Sequence, residues 1–175
     1  MRVSRKDDGM LLTAQAIKYG DDINTDLIIA GKYTKTLNVQ DLVDHAMEDL
    51  DPEFHTKCEQ GRTIIVAGDY FGCGSSREQA PVALKESGIQ CVVAKSFSRI
   101  FYRNAINIGL PLAECDTSKI DDGDVIEYVI GGSQLRNVTK GIVQTVSPLP
   151  DLMVEILASG GMVEFAKQGK FAELI

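Results

Sequence analysis

The stretch Thr63-Ile-Ile-Val-Ala-Gly-Asp-Tyr-Phe-Gly-Cys-Gly-Ser-Ser-Arg-Glu-Gln-Ala-Pro81 decides how this chain folds and where it acts. A β-branched run with the pattern of a buried strand empties into a glycine-rich turn, and a helix follows. That order gathers unpaired backbone N–H groups, two adjacent hydroxyls (Ser75 and Ser76) and the Arg77 guanidinium at a strand-to-helix junction, where anions are readily held. Pro81 sets where the helix starts. If Ser75 opened a capping box with Glu78, Pro81 would fall inside the helix, where it loses a ladder bond and clashes with the preceding turn. The regular helix is therefore expected to begin near Gln79, with residues 72–78 as an irregular approach whose N–H groups can face a ligand.

A purely structural turn is one competing reading. Dinucleotide binding is another, because Gly72-x-Gly74 follows a strand and precedes a helix. Arg77, however, stands at the third glycine position, and Lys95 stands where an acidic ribose partner is expected. A phosphate-loop G-K-[ST] ending and a hydrolase G-x-S-x-G elbow are both missing. The remaining chemistry suits a carboxylate-bearing substrate. Arg77 can grip a carboxylate as a two-pronged fork, and Ser76 and the N–H groups around Gly74 add donors. A serine hydroxyl is a poor base in water, but donors and a guanidinium around its oxygen stabilise the alkoxide.

On the N-terminal side, Leu11-Leu-Thr-Ala-Gln-Ala-Ile-Lys-Tyr19 partly alternates and runs into Gly20-Asp-Asp, a strand followed by a turn. Leu27-Ile-Ile is a second short apolar run, and residues 31–36 form a polar loop. Val39, Leu42, Val43, Ala46, Met47 and Leu50 recur at helical spacing, which predicts a helix over 39–50 with Asn38 as N-cap and Pro52 beyond its end. On the C-terminal side come a helix over 79–87 ended by Gly88, a strand over 90–94, and a helix capped by Ser96 that runs to about Ile108. That second helix sets Phe97, Ile100, Phe101, Ala105 and Ile108 on one face, with Gly109 as its stop, before a short strand at Leu110-Pro-Leu. The strand–helix–strand–helix–strand succession implies parallel pairing with crossovers covering the sheet. The last third reads as a turn at Asp121-Asp-Gly-Asp, a strand over 125–130, a hairpin at Gly131-Gly132 and a return over 141–146. Two helical segments divided at Gly160-Gly161 follow. Residues 1–175 thus make one α/β domain, with 1–9 expected as a disordered tail and 151–175 as a C-terminal helical segment.

Composition narrows the function. Apolar content of 44% with 25% charged residues is that of a globular protein. No run is apolar for long enough to span a membrane, and Met1-Arg-Val-Ser-Arg-Lys-Asp-Asp lacks the apolar core of a secretory signal, so a cytoplasmic location is expected. A formal charge of −7 argues against nucleic-acid binding. Cys58, Cys73, Cys91 and Cys115 are widely spaced with no C-x-x-C, so the chain is expected to hold no metal of its own, and Cys91 reads as a core residue. Asp22, Thr25 and Asp26 could orient the substrate loop, but turn formation is the plainer reading, and His45 and His55 read as surface residues with no partner that would make either a base or a ligand. Arg99 and Arg103 share a helix face and could meet carboxylates of a partner, although a solvated or internally paired face is the plainer reading.

Three motifs in register carry a resemblance: Asp22-Ile-Asn-Thr-Asp26, Phe71-Gly-Cys-Gly-Ser-Ser-Arg-Glu78 and Lys95-Ser-Phe-Ser-Arg-Ile-Phe-Tyr-Arg-Asn-Ala-Ile-Asn-Ile-Gly-Leu-Pro111. From about Leu12 to Leu112 the chain resembles the small subunits of 3-isopropylmalate dehydratase, homoaconitase and related hydro-lyases, and the last domain of aconitase. The resemblance implies the swivelling β/β/α three-layer fold of the aconitase C-terminal domain. It also implies a heterodimer or heterotetramer with a large subunit that carries a [4Fe–4S] cluster on its own cysteines. By the same resemblance Ser75 matches the serine base, Ser76 and Arg77 match residues that contact substrate carboxylates, and Cys73 has no catalytic role. The implied reaction dehydrates a small hydroxy-dicarboxylate and rehydrates it at the neighbouring carbon, turning 2-isopropylmalate into 3-isopropylmalate in leucine biosynthesis. In that family the loop after Asp26 selects the substrate's third substituent, and here it reads Tyr33-Thr-Lys-Thr36. An isopropyl group favours apolar contacts and a further carboxylate favours a cation, so Lys35 keeps a homoaconitase-type substrate open, although a solvated loop lysine pointing away is the plainer reading; a citramalate- or dimethylmalate-type hydro-lyase is a separate alternative. A non-enzymatic alternative is a stand-alone carboxylate-binding module.

Overall fold

The structure is a computed structural model, and it describes residues 5–6, 9–35, 38–58 and 61–170. Its organising element is the ten-residue strand β2 (Gly9–Lys18), which follows the short β1 (Arg5–Lys6) and pairs antiparallel with it. Side chains alternate across a strand, so Leu12, Ala14 and Ala16 enter one core while Ile17 enters another. On one edge β2 pairs parallel with β3 (Thr63–Val66), which leads on to β4 (Ile89–Ala94) and β5 (Leu112–Glu114), all parallel. On its other edge β2 pairs antiparallel with β6 (Val125–Val129), followed by β7 (Gln134–Asn137) and β8 (Ile142–Thr145). The sheet order is therefore β5-β4-β3-β2-β6-β7-β8.

The helices fall on one side of the parallel half. They are α1 (Thr25–Ile28), α2 (Val39–Asp44), α3 (Phe54–Lys57), α4 (Gln79–Glu86) and α5 (Arg99–Ile108). Ile65, Val92 and Ala94 pack there against Phe54, Leu84 and Phe101. From the opposite face of the same strands, Ile64, Val66, Cys91 and Val93 meet Ile126, Tyr128, Leu135 and Val146 of the antiparallel half. Two halves of one sheet share a core only if the sheet curls over, which strand twist permits. The helices α6 (Asp151–Ala158) and α7 (Met162–Lys167) close that second core with Ile156, Leu157 and Phe165. The result is the β/β/α layering implied by the resemblance. Covering on both faces also explains why Thr63-Ile-Ile-Val66 is apolar without alternation.

Several boundaries differ from the sequence reading. The helix expected over 39–50 keeps its Asn38 cap but ends at Asp44. His45 leaves helical geometry, Met47 adopts φ +61°, and its N–H donates to Ile28 C=O (2.8 Å). Ala46 and Met47 are nonetheless fully buried, so the periodic stripe recorded burial and not helix length. The cap of α5 is Ser98, whose Oγ accepts from Phe101 N–H, while Ser96 Oγ accepts from Tyr70 N–H (2.8 Å). On α5, Ile106 takes the buried position and Ile100 is 49% exposed. The strand after α5 starts at Leu112, because Leu110 N–H still bonds Ala105 C=O at the helix end. Of the expected tail, residues 5–6 form β1, whereas 1–4 and 7–8 lie outside the described residues, as do 171–175 of the C-terminal segment.

Candidate functional site

Backbone bonds grip the turn after β3 on both sides. Phe71 N–H donates to Ser96 C=O (3.0 Å) and Ser98 N–H to Phe71 C=O (2.9 Å). Gly72 N–H donates to Ile23 C=O (2.8 Å) and Thr25 N–H to Cys73 C=O (2.8 Å). Residues 71–73 thus lie between 23–25 and 96–98, with Cys73 bridged to Asn24 and Phe71 to Phe97. Gly72 permits this seat twice over: its φ is +79°, and an added Cβ would stand 2.1 Å from Phe101 Cγ. As expected, the regular helix α4 begins at Gln79, and Glu78 makes no side-chain cap. Pro81 then occupies the third helical position, where its missing N–H has no intrahelical partner to lose.

Facing the turn is the start of α1. Asn24 Oδ1 caps it by accepting from the N–H groups of Asp26 and Leu27 (both 3.0 Å), which sets Thr25 and Asp26 on its first turn. Thr25 is 2% exposed, and its Oγ1 lies 2.7 Å from Ser75 Oγ while accepting from Ser75 N–H (3.1 Å). From the other side Arg77 Nε donates to Ser75 Oγ (3.0 Å), with Arg77 N–H at 3.4 Å. Three donors can therefore converge on one half-buried serine oxygen. Arg77 Nη2 bonds Asp26 Oδ1 (2.8 Å), and its Nη1 is so close to Gly31 that a Cβ there would stand 2.8 Å away.

The guanidinium is therefore not an empty fork. Two of its five N–H donors are engaged, and the Asp26 side chain that holds one of them is 64% exposed. An ion pair so open to solvent contributes about 0–1 kcal/mol, so an incoming carboxylate displaces it easily. Gly74 and Ser76 are exposed, and their N–H groups have no acceptor among the described residues. Ser76 C=O accepts from Asn104 Nδ2 of α5 (3.0 Å). Cys73 is half-buried, and burial, with Asp22 adding to it, pushes its thiol pKa up and keeps it protonated.

Lys35 is exposed on the loop after the 3₁₀ turn Gly31–Tyr33, with no hydrogen bond to Ser75, Ser76 or Arg77; Thr36 lies outside the described residues. That loop is fastened from two sides. Gln79 Nε2 donates to Thr34 C=O (3.4 Å), and Tyr33 stacks on His45 with ring centroids 3.7 Å apart and planes 3° from parallel. His45 is half-buried and serves the loop: its Nδ1 also pairs with Glu48 (2.7 Å), and that hydrogen bond leads in holding the Glu48 carboxyl below its ordinary pKa. His55 is exposed and makes an edge contact with Phe54. Arg99 and Arg103 are exposed on α5, unpaired among the described residues.

The sequence points to Ser75, Ser76, Arg77, Gly74 and Lys35; the structure brings Ser75 and Arg77 into contact and gives Lys35 no hydrogen bond to them. The sequence reading gives no site role to Gly31 or Asn104, and for Thr25 and Asp26 it prefers the turn reading to a part in the site. Thr25 and Asp26 belong to the Asp22–Asp26 motif, and their residue types alone do not separate turn chemistry from a site role. Among the described residues no cluster of His, Cys, Asp or Glu could hold a metal ion, and no helix is long and apolar enough to cross a membrane.

Comparison with known proteins agrees with this fold. The aconitase C-terminal domain family matches residues 7–115. The 3-isopropylmalate dehydratase small subunit of Caldanaerobacter subterraneus subsp. tengcongensis is 47% identical over 159 residues, 90% of this chain and 98% of that relative. The 3-isopropylmalate dehydratase small subunit 1 of Archaeoglobus fulgidus is 53% identical over 154 residues, 87% of this chain and 95% of its own length. The crystal structure of 3-isopropylmalate dehydratase (leuD) from Methanocaldococcus jannaschii superposes with a TM-score of 0.87 at 43% identity, covering 94% of this chain and 98% of that one. The chain belongs to the aconitase C-terminal domain family, in its branch of 3-isopropylmalate dehydratase small subunits.

Proposed function

We propose that this chain is the small subunit of a 3-isopropylmalate dehydratase, a hydro-lyase that works only with a large-subunit partner in the cytoplasm. The observation that carries the reading is the convergence of Arg77 Nε, Arg77 N–H and Thr25 Oγ1 on Ser75 Oγ at an exposed turn. An oxygen so surrounded can exist as an alkoxide and act as a base. Ser75 takes the proton from the carbon beside a substrate carboxylate. The C–H electron pair becomes the new double bond, and the neighbouring C–O bond breaks as hydroxide leaves and takes a proton from a second acid, supplied by the partner subunit or solvent, that regains it from the water adding in the return step. Rehydration reverses the polarity: water adds its oxygen to the carbon that lost the proton, and Ser75 returns that proton to the other carbon.

Binding falls to the same turn. Arg77 exchanges Asp26 for a substrate carboxylate, and the N–H groups of Gly74 and Ser76, with the Ser76 hydroxyl, hold further oxygens. Lys35, exposed on the loop that begins at Gly31 beside Arg77, is the residue assigned to the substrate's third substituent. The four thiols of this chain do not form a cluster site: Cys91 and Cys115 are buried, burial raising both pKa values, and Cys73 alone lies at the turn. The [4Fe–4S] cluster is assigned to the large subunit, where it would polarise the departing hydroxyl as a Lewis acid.

Anaerobic reconstitution with the large subunit of the same genome tests the reading, with isopropylmalate, citramalate and homocitrate as substrates. Turnover of isopropylmalate by the complex, and by neither chain alone, is the expected result. Preference for homocitrate would move the assignment to a homoaconitase and give Lys35 its carboxylate. A colourless monomer that binds dicarboxylates without a partner would make the chain a binding module.

A further inference from the structure

The buried hydroxyl of Thr25 has no role yet beyond its place in the geometry. Among the described residues it contacts only Ser75, through two bonds: it accepts from Ser75 N–H (3.1 Å) and shares a proton with Ser75 Oγ (2.7 Å). One lone pair of Oγ1 is fixed by the first bond, and β-branching restricts rotation of the side chain, so the line between the two oxygens is set in advance while either oxygen can donate along it. Arg77 supplies two donors to the same serine oxygen, Nε at 3.0 Å and the backbone N–H at 3.4 Å. Neither Arg77 group can accept a proton back, whereas a hydroxyl can both donate and accept.

We propose that Thr25 is the positioning residue of the Ser75 base: its hydroxyl donates to Ser75 Oγ while that oxygen is an alkoxide, and accepts from it once Ser75 has taken the substrate's proton. Thr25 thus completes a three-donor cage in one half of the cycle and relaxes it in the other. A guanidinium and a backbone amide alone would oppose protonation of Ser75 throughout. The inference rests on the assignment of Ser75 as base.

The test uses the reconstituted complex and three variants. Thr25→Val keeps the shape and removes the hydroxyl. Loss of one donor to a charged oxygen should lower kcat by about 10- to 100-fold. The ascending limb of the pH–rate profile should move to higher pH by about one unit. Thr25→Ser should restore both rate and limb, because it returns the hydroxyl to the same place. A merely structural fastening of α1 to the turn would lower the rate or the melting temperature without moving the limb, and that result overturns the proposal. Should T25V fail to assemble with the large subunit, Thr25→Cys carries the same test, since it keeps the size and offers only a weak S–H donor. Ser75→Ala separates the two levels. An active S75A complex removes the base assignment itself, whereas an inactive one alongside an unmoved T25V profile removes only the role of Thr25.

Discussion

Gly31→Ala should make the protein slightly more stable and a much poorer enzyme. Gly31 does not occupy the left-handed region, so alanine fits its backbone; the obstacle is Arg77, whose Nη1 would lie 2.8 Å from the new Cβ. Ordinary contact begins near 3.4 Å, so the guanidinium must retreat by about 0.6 Å, and Asp26 Oδ1, 3.8 Å from the same point, leaves it little room on that side. The movement pulls Arg77 Nε off Ser75 Oγ, a bond now 3.0 Å long. One charge-assisted hydrogen bond is worth about 1.5–3 kcal/mol, which corresponds to a loss of about 10- to 100-fold in kcat/KM. Gly→Ala at a compatible position stabilises by about 0.4–1 kcal/mol through the unfolded chain, which raises Tm by about 1–4 °C. The assay is steady-state kinetics of the reconstituted complex alongside thermal unfolding of the free chain. Unchanged kcat/KM would refute the reasoning that Gly31 is small to seat Arg77. A fall in Tm as large as the fall in activity would show that the glycine serves the fold instead.

Arg77→Lys replaces a planar fork by a point charge that cannot reach Ser75 Oγ and a carboxylate together, so KM should rise by at least about tenfold, and unchanged kinetic constants would count against the role given to Arg77. Gly72→Ala forces a left-handed alanine, at about 1–2 kcal/mol, and a Cβ 2.1 Å from Phe101 Cγ, so Tm should fall by about 10 °C in calorimetry. Stability should also fall in acid through Asp51. Burial works to raise this carboxyl's pKa, but hydrogen bonds from Lys57 (2.8 and 3.0 Å) and Tyr19 (2.9 Å) outweigh it and leave the pKa below normal. The unfolded chain then binds the proton more readily. The stabilisation is complete above about pH 4 and is lost as pH falls through the lower folded value, so Asp51→Asn should flatten the denaturant midpoint between pH 4 and pH 2.

Local pattern carried the fold a long way. The apolar run at Thr63–Val66, the proline that fixes the start of α4 and the glycine at 109 that ends α5 (φ +81°) are each decided by residues within a few positions of one another. What escaped was set by tertiary partners. Met47 turns left-handed because its N–H is taken by Ile28 C=O, which no periodicity records. Ser96 and Ser98 are equivalent as caps in sequence, and the choice falls to Ser98 because Ser96 Oγ is engaged by Tyr70 N–H across the turn. The site itself was half legible. Ser75 and Arg77 adjoin one another, but Thr25 reaches Ser75 across 50 positions, and Asp26 reaches Arg77 across 51. Asn and Asp at a turn look alike whether or not a catalytic residue lies opposite, so only the resemblance hinted that 22–26 belonged to the site.

Ser75→Ala in the anaerobically reconstituted complex tests the central claim most directly. The alanine chain should assemble with the large subunit, leave KM close to its normal value and lower turnover by about 10²- to 10⁴-fold, the share a positioned base contributes. Normal turnover by that complex would contradict the account.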